Sequence, residues 1–162
     1  LVGSEMCIRD RSIPVVPIHL KVEINCKEHF SVLPMQRMPF SVVNKWYNGK
    51  CDVLTYQLDE LVGTKLRALY QRRKGRDLYD LYKALTTSDI NIDNVLACYQ
   101  KYMEFVVDHI PTYNEFIINM EDKMQDDEFL GDTMQLLRPD DEFNPQEGYE
   151  VVRTLLLDRL QK

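Results

Sequence analysis

The sequence has little cysteine, histidine, glycine and proline, and these shortages exclude several classes of protein. The 162 residues include 4 Cys, 3 His, 6 Gly and 7 Pro. No Cys-x-x-Cys pair occurs and no histidine lies at zinc-finger spacing, so neither a zinc site nor a disulfide framework is predicted. No apolar run approaches the roughly 18 residues of a membrane-spanning helix. The N-terminus also lacks the continuous apolar stretch of a signal peptide, so we expect a cytoplasmic protein with no membrane partner.

The residues that are abundant are typical of a folded domain with an uneven charge distribution. Apolar residues make up 44% of the chain and charged residues 28%, proportions that are ordinary for globular proteins. Residues 1–83 contain 14 Lys and Arg against 9 Asp and Glu, whereas residues 84–162 contain 6 against 17. The N-terminal part can therefore attract a polyanion, which the acidic part would repel. Solvated helix faces explain the same distribution equally well.

The first eleven residues differ from the rest of the sequence. Residues 1–11 have no clear hydrophobic period and end abruptly before Ser12. They resemble translated adapter sequence, so we interpret them as a non-native leader and exclude them from the fold prediction. A reading frame that opens in this way is expected to lack part of the natural N-terminus.

Hydrophobic periodicity predicts strands first and helices afterwards. Apolar and polar residues alternate from Val15 to Asn25, which predicts a strand. Two further strands are predicted at Phe40–Tyr47 and Cys51–Tyr56, and Asn48-Gly49 between them favours a tight hairpin turn. Helices are then predicted at about 58–74, around Leu78, Leu81 and Leu85, at 113–124 and at 148–160, with a short one near 130–137. A further helix is predicted to run through Val107, with Asp89 or Asn91 as its cap and Pro111 as its stop. This order predicts an α+β fold.

The first predicted helix contains a lysine where an apolar residue is expected. The predicted buried face of this helix is formed by Leu58, Leu61, Val62, Leu66 and Leu69. At about 100° per residue from Leu58, Val62 and Leu69 fall at about 40° and 20°, and Lys65 falls at about 340°, within the same stripe. A lysine on a buried face is costly unless its ammonium reaches water, a carboxylate or an anionic ligand. Periodicity alone favours the first two explanations, and a bound anion is the functional alternative.

The second predicted helix begins with two acids one turn apart. Asp77 and Asp80 project from the same side of the helix. Arg76 precedes Asp80 by four residues, a spacing that allows an ion pair, and the helix dipole favours acids in the first turn. These are sufficient structural reasons for both acids. The functional alternative is that Asp77 and Lys65 converge on a phosphate chain, beside a basic rim for nucleic acid formed by Arg72, Arg73, Lys74 and Arg76.

Three segments together resemble the AbiEii nucleotidyltransferase toxin family of AbiE-type toxin–antitoxin and abortive-infection systems. They are LKVEIN at 20–25, VLTYQLDELVGTKLRALY at 53–70 and QRRKGRDLYDLY at 71–82. The order of Lys-Leu-Arg-Ala-Leu and Arg-Arg-Lys-x-Arg-Asp-Leu-Tyr-Asp is specific to that family. The resemblance extends over essentially residues 17–162.

The resemblance implies a fold and an activity. It implies a polymerase-β-like nucleotidyltransferase sheet, partly present in residues 12–56, followed by a helical domain in 57–162. It also implies Mg²⁺-dependent transfer of a nucleotide from a nucleoside triphosphate to an acceptor, which is tRNA in some members. A cognate antitoxin in the same operon is implied as a partner, although its direct contact with this chain is not.

The resemblance also implies roles for particular residues. Glu23 would be the strand acid that binds the metal, a position that otherwise suits an ordinary outward-facing glutamate. Lys65 would contact the triphosphate, with a ligand anion as its partner in place of a core carboxylate. Asp77, supported by Asp80, would be the essential acid, and Arg72 and Arg76 would bind substrate.

The chain lacks one motif of the family. Gly3-Ser4 lies in the predicted leader, and no Asp-x-Asp segment occurs anywhere in the sequence. Because two of the three expected metal ligands are missing, we predict that this polypeptide alone does not transfer nucleotides, whereas its full-length parent does. The alternative function is that of a non-catalytic helical module that binds RNA or an antitoxin.

Overall fold

The computed structural model of the chain describes residues 5–8, 18–22, 28–134, 136–138 and 141–160. The chain divides into two compact units, residues 1–30 and 31–162. In the first unit, β1 (Glu5–Ile8) pairs antiparallel with β2 (Ile18–Lys21), with Cys7 opposite His19. β2 confirms the centre of the strand predicted from Val15 to Asn25, and much of the rest of that prediction lies outside the described residues.

The second unit begins with a hairpin that has one apolar and one polar face. β3 (Gln36–Val43) pairs antiparallel with β4 (Asn48–Thr55), from Gln36 opposite Thr55 to Val43 opposite Asn48. Because side chains alternate along a strand, one face carries apolar residues from both strands, namely Met38, Phe40, Val42, Cys51 and Val53. Antiparallel sheets commonly bury such a face, but here Met38 and Phe40 are more than half exposed.

The centre of the hairpin turn lies three residues earlier than the sequence predicts. Asn48 and Gly49 are not the turn, because they begin β4 and Gly49 pairs with Val42. The chain reverses at residues 44–47, where the Asn44 side-chain oxygen accepts hydrogen bonds from the backbone N–H groups of Trp46 and Tyr47, both at 2.9 Å. Asparagine commonly organises a turn in this way, and here its side chain decides the position.

The described residues after the hairpin form six α-helices and one 3₁₀ turn, joined by loops. They are α1 (Leu58–Gln71), α2 (Gly75–Thr87), α3 (Ile92–Val106), α4 (Tyr113–Lys123), α5 (Asp127–Gly131), α6 (Pro145–Leu155) and the 3₁₀ turn Leu157–Arg159. Together with the hairpin they confirm the predicted α+β class. The further division at residue 56 stays a prediction. None of these described helices is long and apolar enough to cross a bilayer.

Side-chain caps explain where the later helices begin. The Asn91 side chain accepts from the N–H groups of Asp93 and Asn94, which starts α3 one residue later, as predicted. Thr112 and Glu115 form a reciprocal capping box at α4. The last helix begins at Pro145 instead of Gly148, because Asn144 caps it and proline favours the first helical position. The short helix predicted near 130–137 lies at Asp127–Gly131.

The apolar core lies among the helices, and it changes the predicted orientation of α1. α1 packs against both α2 and α3. Val62, Leu66 and Leu69 are buried as expected, whereas Leu58 and Leu61 are about two-fifths exposed. Glu60 and Gly63 are buried instead, at about 200° and about 140° on the scale used above. The buried arc is therefore rotated away from Lys65, which lies at its edge.

Candidate active site

A sharp connection between α1 and α2 builds the candidate site. α1 ends at Gln71 and α2 begins at Gly75, with three residues between them. Gly75 approaches α5 so closely that a Cβ atom would collide with the backbone oxygen of Phe129. Only glycine fits this contact, and the resulting elbow brings the start of α2 alongside the last two turns of α1.

Lys65 of α1 meets both acids of α2 across this elbow. Its Nζ lies 3.2 Å from Oδ1 of Asp77 and 2.8 Å from Oδ2 of Asp80. The Asp77 side chain is completely buried, whereas the Asp80 side chain is 48% exposed and that of Lys65 is 31% exposed. The ammonium is therefore held between an inner and an outer carboxylate.

Arg72 contributes a second cation to the same buried carboxylate. Its Nε donates to Oδ2 of Asp77 at 2.6 Å and its Nη2 donates to Oδ1 at 2.7 Å. This two-bond arrangement uses the planar guanidinium in the way that favours carboxylates. Both oxygens of Asp77 are thus engaged, and the Arg72 side chain is still half exposed.

The electrostatics of the cluster follow from this geometry. Burial by itself would raise the pKa of Asp77, but hydrogen bonds from Arg72 and Lys65 outweigh burial and hold that pKa below its ordinary value. Burial would likewise lower the pKa of Lys65, but Asp80 and Asp77 raise it above its ordinary value. Lys65, Arg72 and Asp77 consequently stay charged at neutral pH.

The structure contradicts two expectations about which charged side chains contact each other. The resemblance implied that Lys65 would lack a core carboxylate, yet Asp77 and Asp80 both contact it. The elbow causes this difference, because it places residues 77 and 80 directly beside residue 65. The predicted ion pair between Arg76 and Asp80 is absent from the described residues, since Asp80 faces α1 instead. Arg76 is exposed, and its backbone N–H donates to Asp132.

The acidic half of the chain neutralises part of the predicted basic rim. Arg73 donates to Asp126 at 2.8 Å and also pairs with Asp122, and Lys74 lies 3.7 Å from Glu128. These acids belong to α4, to α5 and to the turn between them. Basic residues of the N-terminal part of the sequence therefore form ion pairs with acidic residues of the C-terminal part.

The sequence matches a known protein family over most of its length. The profile described as "Nucleotidyl transferase AbiEii toxin, Type IV TA system" matches residues 5–152. The chain belongs to the AbiEii family. No curated protein and no solved structure matches the chain significantly. The AbiEii assignment implies nucleotidyltransferase toxin function at the level of the family. The match begins within residues 1–11, and their interpretation as a leader stays a prediction.

The structure brings together most of the residues that the AbiEii resemblance singled out. Lys65, Asp77, Asp80 and Arg72 form one cluster. Glu23, the predicted metal ligand, lies outside the described residues. Within the part of the chain that the structure describes, no group of three or more His, Cys, Asp or Glu side chains is arranged to hold a metal ion.

Sequence reasoning missed a second buried lysine at this elbow. Lys123 is 3% exposed, and its Nζ donates to the backbone oxygen of Tyr70 at 2.9 Å and to that of Leu69. It thereby satisfies carbonyl groups at the C-terminal end of α1. Burial lowers the pKa of Lys123 to about 8, and the charge of Arg73 acts in the same direction. The available signal was its spacing from Phe116 and Met120, which continues their apolar stripe.

Neutralising Asp77 should make the AbiEii chain less stable, and the loss should depend on pH. We expect Asp77→Asn to lower the free energy of unfolding by about 2 kcal/mol at pH 7, less than for a fully buried pair because Arg72 and Lys65 reach solvent. A carboxylate with a lowered pKa stabilises the fold above its unfolded pKa of about 3.9 and loses that effect as pH falls through the folded pKa. The difference between wild type and variant should therefore shrink below about pH 4.

Urea unfolding between pH 2.5 and 7 measures this difference. Asp89→Asn, at an exposed loop position, is the matched control and should change stability by less than about 0.5 kcal/mol. A gap between wild type and Asp77→Asn that stayed constant over the whole pH range would contradict the ion-pair interpretation.

Proposed function

We propose that this chain carries the C-terminal part of a toxin nucleotidyltransferase, which transfers a nucleotide from a nucleoside triphosphate to an RNA acceptor such as tRNA. The observation that carries the proposal is the convergence of Lys65 and Arg72 on the buried carboxylate of Asp77. The family match supports the reaction class. A cytoplasmic location and a cognate antitoxin are part of the same proposal.

The geometry suits recognition of a phosphate chain. One buried carboxylate fixes two cations, and each cation leaves part of its side chain open to solvent. Lysine supplies a compact point charge and arginine a planar set of donors, which together match the several anionic oxygens of a triphosphate. Preorganised charge of this kind is the main contribution that a protein makes to phosphoryl and nucleotidyl transfer.

The two acids have different proposed roles. Asp77 is fully buried with both oxygens engaged, so it acts as a positioning residue that keeps Lys65 and Arg72 in place. Asp80 is half exposed, and among the described residues its carboxylate pairs with Lys65. A triphosphate that reaches Lys65 takes the place of the Asp80 carboxylate, and Asp80 turns towards solvent.

Magnesium does not fit the residues that the structure describes. Both oxygens of Asp77 already serve cations, and Asp80 by itself is too few ligands for Mg²⁺. The magnesium requirement therefore stays a prediction that rests on Glu23 and on an upstream Asp-x-Asp segment.

A labelling experiment tests the proposed function. The chain as printed and a form extended upstream to include a Gly-Ser…Asp-x-Asp segment are each incubated with radiolabelled nucleoside triphosphates, Mg²⁺ and total tRNA. We expect the extended form to label RNA and the printed chain to give background only, because the printed chain lacks two of the metal ligands.

The controls separate the enzyme from the alternative. Labelling by the printed chain would overturn the predicted need for the upstream segment. An extended form that binds RNA without labelling it, with each of the four triphosphates, would favour a non-catalytic RNA-binding or antitoxin-binding module. Omission of Mg²⁺ from the extended form should abolish labelling.

A further inference from the structure

The tip of the β3–β4 hairpin displays two aromatic side chains in solvent. We define the hairpin tip as residues 44–50. Trp46 is 82% exposed and Tyr47 is 65% exposed, although large aromatic side chains usually contribute to cores or to binding surfaces. Trp46 is the only tryptophan in the chain.

Local contacts hold the backbone of these two residues in position. The Asn44 side chain accepts from the N–H groups of both Trp46 and Tyr47, and the Asn44 N–H donates to the Tyr47 backbone oxygen at 3.1 Å. Gly49 gives the Tyr47 ring room to lie against the backbone, since a Cβ atom there would be 2.7 Å from two of its ring carbons. The backbone of the tip is therefore fixed before any ligand arrives, which reduces the entropy cost of binding.

The charge at the hairpin tip is of one sign. Lys45 lies over Trp46, with its Nζ 4.0 Å from the ring centroid, and Lys50 is exposed. The sequence from Gln36 to Cys51 contains no Asp or Glu. Within the described part of the chain, neither lysine pairs with a carboxylate, in contrast to Arg73 and Lys74 at the elbow. In a chain of net charge −6, the tip is a local cationic site.

We infer that the hairpin tip binds single-stranded RNA, with bases stacked on Trp46 and Tyr47 and phosphates contacted by Lys45 and Lys50. Exposed aromatic rings beside unpaired cations are the combination by which proteins hold single strands without reading sequence. Charge favours this ligand over a protein partner, because an RNA strand supplies both phosphate anions for the two lysines and flat bases for the two aromatic rings. The inference rests on the proposed function to the extent that this RNA is the acceptor.

Trp46 itself reports the interaction. The chain as printed is titrated with single-stranded oligoadenylate while tryptophan fluorescence is followed, without nucleotide or Mg²⁺. Stacking of a base on the only tryptophan should quench its emission in a saturable manner. Duplex RNA, whose bases are already stacked, and inorganic polyphosphate, which has no bases, should quench weakly or not at all. Equal quenching by polyphosphate, or no quenching by the single strand, overturns the inference.

Substitutions separate the contribution of base stacking to RNA affinity from the contribution of charge. Binding of a dye-labelled oligoadenylate should weaken about 5-fold to 100-fold in Trp46→Ala, and by a similar factor in Tyr47→Ala. Trp46→Phe keeps an aromatic ring and should weaken binding much less. Lys45→Gln with Lys50→Gln should reduce the slope of log affinity against log salt by about 1.4, at about 0.7 for each lost phosphate contact. The control Lys101→Gln removes an exposed lysine on α3 and should leave affinity and slope unchanged.

The binding assay and the labelling assay fail independently. Labelling of RNA by the extended form, without quenching of Trp46, would sink the inference and leave the proposed function intact. Quenching of Trp46 with no labelling in any condition would support the inference and contradict the proposed function. Because Trp46 and Tyr47 are exposed, their variants should keep the wild-type circular dichroism spectrum, so a loss of binding cannot be assigned to unfolding.

Discussion

Lys65→Ala should reduce RNA labelling by the upstream-extended form about 100-fold or more, because removing one preorganised charge from a transition state typically has an effect of that size. Lys65 is the cation held between Asp77 and Asp80, so its loss removes the group that we assign to the triphosphate. The loss of stability should be small by comparison, since Arg72 continues to pair with Asp77 through two hydrogen bonds.

Initial rates at several triphosphate concentrations measure this effect. The matched control is Lys101→Ala, which removes an exposed lysine paired with Glu104 on α3 and should keep full activity. Lys65→Arg should recover part of the rate, because it keeps the charge but not the compact ammonium. Wild-type rates in Lys65→Ala, in a protein that folds normally, would exclude the proposed role and leave Lys65 as a structural partner of the two acids.

Glu60→Ala should lower the free energy of unfolding by about 3 to 5 kcal/mol, because it leaves one buried and two partly buried donors without an acceptor. The Glu60 side chain is fully buried. Its Oε1 accepts from the Val32 N–H at 2.8 Å and from the Tyr102 hydroxyl at 2.8 Å, and its Oε2 accepts from the Leu33 N–H at 3.0 Å. This one carboxylate ties the segment before β3 and helix α3 to the first turn of α1.

Chemical denaturation of a small set of variants separates the contributions. The stability of Glu60→Gln should lie between those of wild type and Glu60→Ala. Glutamine keeps one acceptor oxygen, but its side-chain NH₂ group would face a backbone N–H group, and both are donors. Tyr102→Phe removes the hydroxyl that donates to Glu60 and should cost about 1 to 2 kcal/mol. The double variant should lose less than the sum of the two single losses, because the residues share one interaction. Glu104→Ala on the surface of α3 is the control, and a loss as large as that of Glu60→Ala would contradict the burial argument.

Local signals in the sequence predicted the helices well. Asn91, one of the two predicted caps, begins α3, Pro111 follows its end, and the predicted helix 113–124 differs from α4 by one residue. These signals are short-range, since a cap or a proline acts on backbone groups within a few residues. The α+β order is likewise visible in the change of period after Tyr56.

Predictions that depended on distant contacts were less accurate. The sequence suggested Asn48-Gly49 as the turn, but Asn44 organises it and Gly49 makes room for Tyr47. The sequence also placed Leu61 in the core, whereas α3 packs on the side of α1 that carries Gly63. A helical wheel gives the relative angles of side chains, but the neighbouring helices determine which angles are buried.

The sequence by itself determined the class of fold, the family and the set of residues worth testing, because periodicity, caps and motif spacing are properties of the chain alone. Only the tertiary structure decided what those residues contact. The elbow at Gly75 pairs Lys65 with Asp77 and Asp80, turns Arg72 onto the same carboxylate and opposes Arg73 to Asp122. Charge partners depend on distance in space, and the path of the backbone around one close-packed glycine sets those distances.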